Sequence, residues 1–84
     1  MEKQKVGVVE HYYDHLGVAV VNLSAPLRLG DKIEIMHADG KPVLEETVDS
    51  MQVEHNQIQE AKPGDAVGLK VKSKVHRGNV VYKA

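Results

Sequence analysis

A chain of 84 residues has room for one domain, taken as 1–84, and its core must be compact because so short a chain buries only about 60–70% of its unfolded surface. Cysteine, phenylalanine and tryptophan are all absent, which excludes disulfides and thiolate metal sites and leaves Val, Ile, Leu and Met to fill the core. The net charge of −1 conceals a division: residues 1–61 hold five Lys or Arg against eleven Asp or Glu (−6), and residues 62–84 hold six against one (+5).

The first strand is expected over Lys5–Tyr13, with Val6 and Val8 on one face. Asp14-His15 turns the chain into a second strand, Gly17–Leu23. There Val18 and Val20 share one face and Ala19 and Val21 the other, with Val20 assigned to the interior. Both strands are apolar on both faces in places, as in a barrel whose outside is partly covered. After a loop at Ser24–Leu27, a strand over Lys32–His37 points Ile33 and Ile35 inward. Asp39-Gly40 suits a type I′ hairpin turn. The next strand, Pro42–Val53, loses its period near Asp49-Ser50: Leu44 and Val48 are even-numbered, Met51 and Val53 odd. A one-residue slip of this kind predicts a bulge. The polar stretch His55–Glu60 reads as a loop or short strand anchored by Ile58. A strand from Ala66 then alternates cleanly, with Val67, Leu69 and Val71 inward and Lys70 and Lys72 outward. Ser73–Gly78 is a basic loop pinned by Val75, and Asn79–Lys83 forms the last strand. No segment has sustained helical periodicity.

One device recurs. Gly30-Asp31, Gly64-Asp65 and Gly78-Asn79 each precede an apolar run. Glycine takes a positive-φ corner without steric cost, and Asp or Asn bonds the turn back to its own backbone. At Pro63-Gly64-Asp65 a type II corner places positive φ on Gly64. The three blocks, Leu-Arg-Leu-Gly-Asp-Lys-Ile-Glu-Ile (27–35), Ala-Lys-Pro-Gly-Asp-Ala-Val-Gly-Leu (61–69) and Arg-Gly-Asn-Val-Val-Tyr (77–82), resemble the second-domain β-barrel of translational GTPases such as elongation factor Tu. The resemblance covers about Val6 to Lys83. It implies an all-β fold: a small closed or nearly closed barrel of six or seven mostly antiparallel strands. It also implies a non-catalytic binding module associated with translation, with RNA, tRNA or an RNA-handling protein as partner. The position matching the family's acidic contact to the terminal adenosine of tRNA is Gln52, and that matching a nearby arginine is His55. Both depart from the family pattern. The same barrel type also occurs as an accessory domain on collagenase-like peptidase family proteins, which implies a detached accessory subunit as an alternative.

The phosphate loop of the GTPase domain is missing, so no GTP binding is expected of this chain, nor any metal or cofactor. No nucleophile–base pair stands at a recognised spacing, so no enzymatic activity is expected either. Lys62, Lys70, Lys72, Lys74, Arg77 and Lys83 are the candidate RNA-binding residues. Lys70, Lys72 and Lys74 share one parity and would line a strand face if the strand runs that far. Such a row tracks a phosphate backbone; it equally suits a solvated face that discourages aggregation. Adjacent Tyr12 and Tyr13 must face opposite ways, one packing and the other free to stack on a base. His11 and His15 flank a turn, where their four-residue spacing does not bring them together. Apolar residues on both strand faces favour a different reading, a protein–protein adapter without nucleic-acid contact. The polar N-terminus, Met-Glu-Lys-Gln-Lys, has no signal-peptide character, and no apolar run approaches the ~20 residues of a membrane span. A cytoplasmic protein with no membrane contact is the expectation.

Overall fold

A computed structural model describes residues 3–83. Met1 and Glu2, which open the polar N-terminal stretch, lie outside them, as does Ala84. The architecture is all-β, and no helix among the described residues is long and apolar enough to cross a membrane. The strands are β1 (Gln4–Tyr13), β2 (Val18–Leu23), β3 (Leu27–Arg28), β4 (Lys32–Met36), β5 (Pro42–Thr47), β6 (Met51–Val53), β7 (Asn56–Ile58), β8 (Glu60–Ala61), β9 (Ala66–Lys70) and β10 (Val80–Lys83). Eight form one antiparallel sheet in the order β5-β4-β10-β1-β2-β9-β6-β7, and β3 pairs with β8. The sheet has two edges, β5 and β7, and no pairing among the described residues joins them into a closed barrel.

The expected slip near Asp49-Ser50 is a full break. β5 ends at Thr47, and β6 starts at Met51 against a different neighbour, β9. Val48, Asp49 and Ser50 carry the chain from one edge of the sheet to the strand beside the other edge. The buried side chains of the sheet form a single core. Ile33, Ile35, Val67 and Leu69 lie in that core as expected, beside Val6, Val9, Val21, Met51 and Val81.

Two parities are corrected. In β2 the buried residues are Ala19, Val21 and Leu23, and Val20 is on the outer face, half-buried. In β1 the inward residues are Val6 and Val9, and Val8 is only half-buried. The register shifts twice along β1, between Lys5 and Gly7 against β10 and between Val9 and His11 against β2. Each irregularity moves the inward phase by one residue. A strand with valines on both faces contains nothing that marks where this happens.

The glycine corners share one construction. In 28–31, 62–65 and 76–79 the glycine is third and has φ 92°, 93° and 92°, as a type II turn requires. The side-chain oxygen of the fourth residue accepts from the first residue's N–H: Asp31 from Arg28 at 2.9 Å, Asp65 from Lys62 at 3.0 Å, Asn79 from His76 at 2.9 Å. Each corner then docks on a buried residue of a remote segment by a reciprocal backbone pair. Gly30 N–H donates to Val48 O and Val48 N–H to Asp31 O; Leu23 plays Val48's part for Gly64 and Asp65, and Val9 for Gly78 and Asn79. Asn79 is the one buried polar residue among those described, consistent with a neutral amide where the other two corners carry half-buried aspartates.

The type I′ turn is not at Asp39-Gly40. There only Gly40 has positive φ, 94°, and closes a three-residue loop through His37 N–H to Lys41 O at 2.8 Å. The I′ geometry falls instead on Glu54 (φ 51°) and His55 (φ 66°), the two-residue link of β6 to β7. Left-handed backbone costs an ordinary residue about 1–2 kcal/mol. Replacing the pair by Asn-Gly (Glu54→Asn with His55→Gly) is therefore expected to stabilise the domain by about 1 kcal/mol and to raise the melting temperature by about 4–8 °C. A melting temperature that stays put or falls would show that this corner stores no strain.

Candidate functional site

The outer face of β1, β2, β9 and β6 carries an apolar trough. Strand pairing sets Val20 opposite Gly68 and Val18 opposite Lys70, with Gln52 on the other flank of Gly68. Because side chains alternate, the inward phase of Ala19, Val21, Val67 and Leu69 obliges Val18, Val20, Ala66, Gly68 and Lys70 to face outward. Gly68 forms the floor: a β-carbon there would lie 3.2 Å from Val18 Cγ1. Two adjoining hollows of about 320 and 370 Å³ share Leu16, Val18, Gln52 and Gly68. Lys70, Ser50 and Gln57 line one end; Glu54, His55, Ala66, Val20 and Tyr13 line the other. Tyr13 is 48% and Leu16 66% exposed, and with Leu29 they are the large apolar side chains left open to solvent among the described residues.

The two tyrosines part as their adjacency demands. Tyr12 packs against the core, and Tyr13 stands out on the trough with the His11 ring edge-on at 4.4 Å. Gln52 and His55 both reach the trough. Sequence reasoning singled them out for a different ligand, and it had no way to see Val18, Val20 and Gly68 beside them, because those meet only through non-local pairing.

The six basic candidates do not share one strand face. β9 ends at Lys70, so Lys70, Lys72 and Lys74 do not form a strand row. Lys72 N–H donates to Glu46 Oε1 at 3.1 Å, Lys74 Nζ lies 3.9 Å from Asp14, and Lys83 Nζ lies 3.4 Å from Asp31 on another part of the surface. Lys62 opens the 62–65 corner and Arg77 sits in the 76–79 corner, both exposed. Lys70 and Lys72 also border a polar hollow of about 430 Å³ with Glu46, Thr47 and Asp49. Acidic residues of the first two-thirds of the chain thus interleave with basic ones of the last third. Burial raises the Glu46 carboxyl above the usual carboxylate range, against the pull of the Lys72 N–H and cation. Its ionisation therefore subtracts stability as pH rises through that raised value.

No protein-family model matches the chain. It is 38% identical over 82 residues, 95% of its length, to an uncharacterised protease of Methanocaldococcus jannaschii. It spans about a fifth (19%) of that protein. Among solved structures it resembles the C-terminal domain of a putative U32 peptidase of Geobacillus thermoleovorans, with a TM-score of 0.86 over 96% of this chain and 92% of that one. The selenomethionine variant of the same domain gives a TM-score of 0.84 over 93% and 96%. Identity is 24% in both, so the likeness is one of fold.

These relatives overturn the translation-factor resemblance, and with it the translation-associated, RNA- or tRNA-binding role drawn from it. The physical reason lies in the corners. Gly followed by Asp or Asn is what a type II turn with a side-chain clamp requires before any strand. Three such blocks in order describe how a chain of this fold turns, and folds host unrelated functions.

Proposed function

We propose that this chain is a non-catalytic accessory domain that serves a peptidase-family protein by binding polypeptide. The observation that carries the reading is the 38% identity over nearly the whole chain to a fifth-length portion of a protease. The exposed apolar trough supports it, since an open apolar patch rimmed by polar residues marks an interaction surface. We also read the sheet as curled into a nearly closed barrel, its two ends linked through residues 48–50 and the β3–β8 pair.

Cross-linking of the tagged chain in its native cells, followed by RNase treatment and mass spectrometry, tests the role. A peptidase-family chain enriched over the tag-only control is expected, unchanged by RNase. Its absence, or recovery that RNase abolishes, would remove the accessory reading. Hydrolysis of a fluorogenic peptide mixture by the purified chain alone would refute the non-catalytic part.

A further inference from the structure

The accessory role leaves open what the domain holds, and the trough constrains it. Its two ends are oppositely charged. Lys70 stands at one and Glu54 at the other, and neither has an ion-pair partner among the described residues. Between them Val18, Val20, Ala66 and Leu16 surround the bare backbone of Gly68, with the neutral amide of Gln52 on its other flank. The outward positions of β9 that mark the length, 66, 68 and 70, lie four residue steps apart end to end, or about 13 Å at strand rise.

Building on the accessory role, we propose that the trough binds an extended polypeptide segment of a substrate, with an apolar side chain over Gly68, an acidic residue two positions to one side and a basic residue two positions to the other. An extended peptide repeats every two residues on one side, so residues i, i+2 and i+4 match the three stations in both spacing and facing. The acidic residue meets Lys70, the apolar one lies over the Gly68 backbone beside Val18, and the basic one meets Glu54. Tyr13 and Leu16 wall the anchor. A peptide with like charges at both ends would set one of them against its own sign.

The test is titration of isotope-labelled chain by nuclear magnetic resonance with three short capped peptides. They are Glu-Thr-Leu-Thr-Lys, the same peptide with Ser for Leu, and Lys-Thr-Leu-Thr-Lys. The first is expected to shift amide signals of β2, β9 and the β6–β7 corner, and no other surface. Loss of the leucine should weaken binding about tenfold, the equivalent of burying most of one such side chain. The wild type should prefer the first peptide to the third, and Lys70→Glu should reverse that preference. Binding of the third peptide by the variant also shows that the variant is folded. The proposal is overturned by an absence of shifts with millimolar peptide, by shifts elsewhere, or by an unreversed preference. Concentration-dependent broadening of the trough signals without peptide would overturn it in favour of a second copy as occupant. Peptide binding without a peptidase-family partner in cells would instead leave the trough assignment standing and remove the accessory role.

Discussion

Leu69→Ala is expected to unfold most of the domain at moderate temperature, while Val20→Ala leaves it folded. Leu69 is 1% exposed in β9, paired with Ala19 of β2 on one side and Met51 of β6 on the other. Truncating a buried leucine costs about 2–5 kcal/mol, because the transfer free energy is lost and the cavity closes only in part. A domain of this size has about 4–13 kcal/mol in total. Thermal melting followed by circular dichroism should fall by at least about 10 °C. Val20 lies one position out of phase, on the trough, and its truncation should cost under about 1.5 kcal/mol. Equal drops for the two variants would contradict the inward phase of β2.

Gly7→Ala is expected to damage the fold by the opposite route, excess volume. A β-carbon at residue 7 would lie 2.6 Å from the carbonyl oxygen of Asn22 and 2.7 Å from Val21 Cγ1. Gly7 is buried and paired on both sides, with Leu23 of β2 and Val81 of β10. The carbonyl it would strike belongs to the β1–β2 ladder, so relief requires the strands to separate. Overpacking of this kind costs about 1–3 kcal/mol. Gly7→Val should be worse than Gly7→Ala, and amide exchange in β1 should accelerate in both. A melting temperature within error of wild type for Gly7→Ala would show that β1 moves more freely than its pairing implies.

Gly7 also shows where reading along the chain stops. The corners at Gly30, Gly64 and Gly78 were legible because their chemistry is local: four residues contain the turn, the glycine and the clamp. Ile33, Ile35, Val67 and Leu69 were legible because apolar and polar residues alternate without interruption around them. Gly7 lacks the positive φ of the corner glycines, and its need for hydrogen in place of a side chain comes from Asn22, a strand away. Val20 was misassigned because β2 is apolar on both faces, and only the non-local pairing with β9 decides which face is inside. The trough was out of reach for the same reason. Its floor, walls and ends come from β1, β2, β9, β6 and the strained corner after it, segments that lie up to 55 positions apart, from Tyr13 to Gly68.

The three clamped corners have a consequence for how the chain finds this arrangement. Each turn closes over four residues and can form while the rest of the chain is loose. Its docking partner is remote: 17 residues separate Val48 from Asp31, 42 separate Leu23 from Asp65, and 70 separate Val9 from Asn79. The corners thus pre-bend the unfolded chain at the three points where strands begin, yet none can lock until a distant strand has arrived. Loop closure over such spans must precede the bonds that reward it, which places this domain among slow folders despite its size. The widest of the three spans joins β1 to the residue before β10, so that corner can close only after the strands between them have been synthesised.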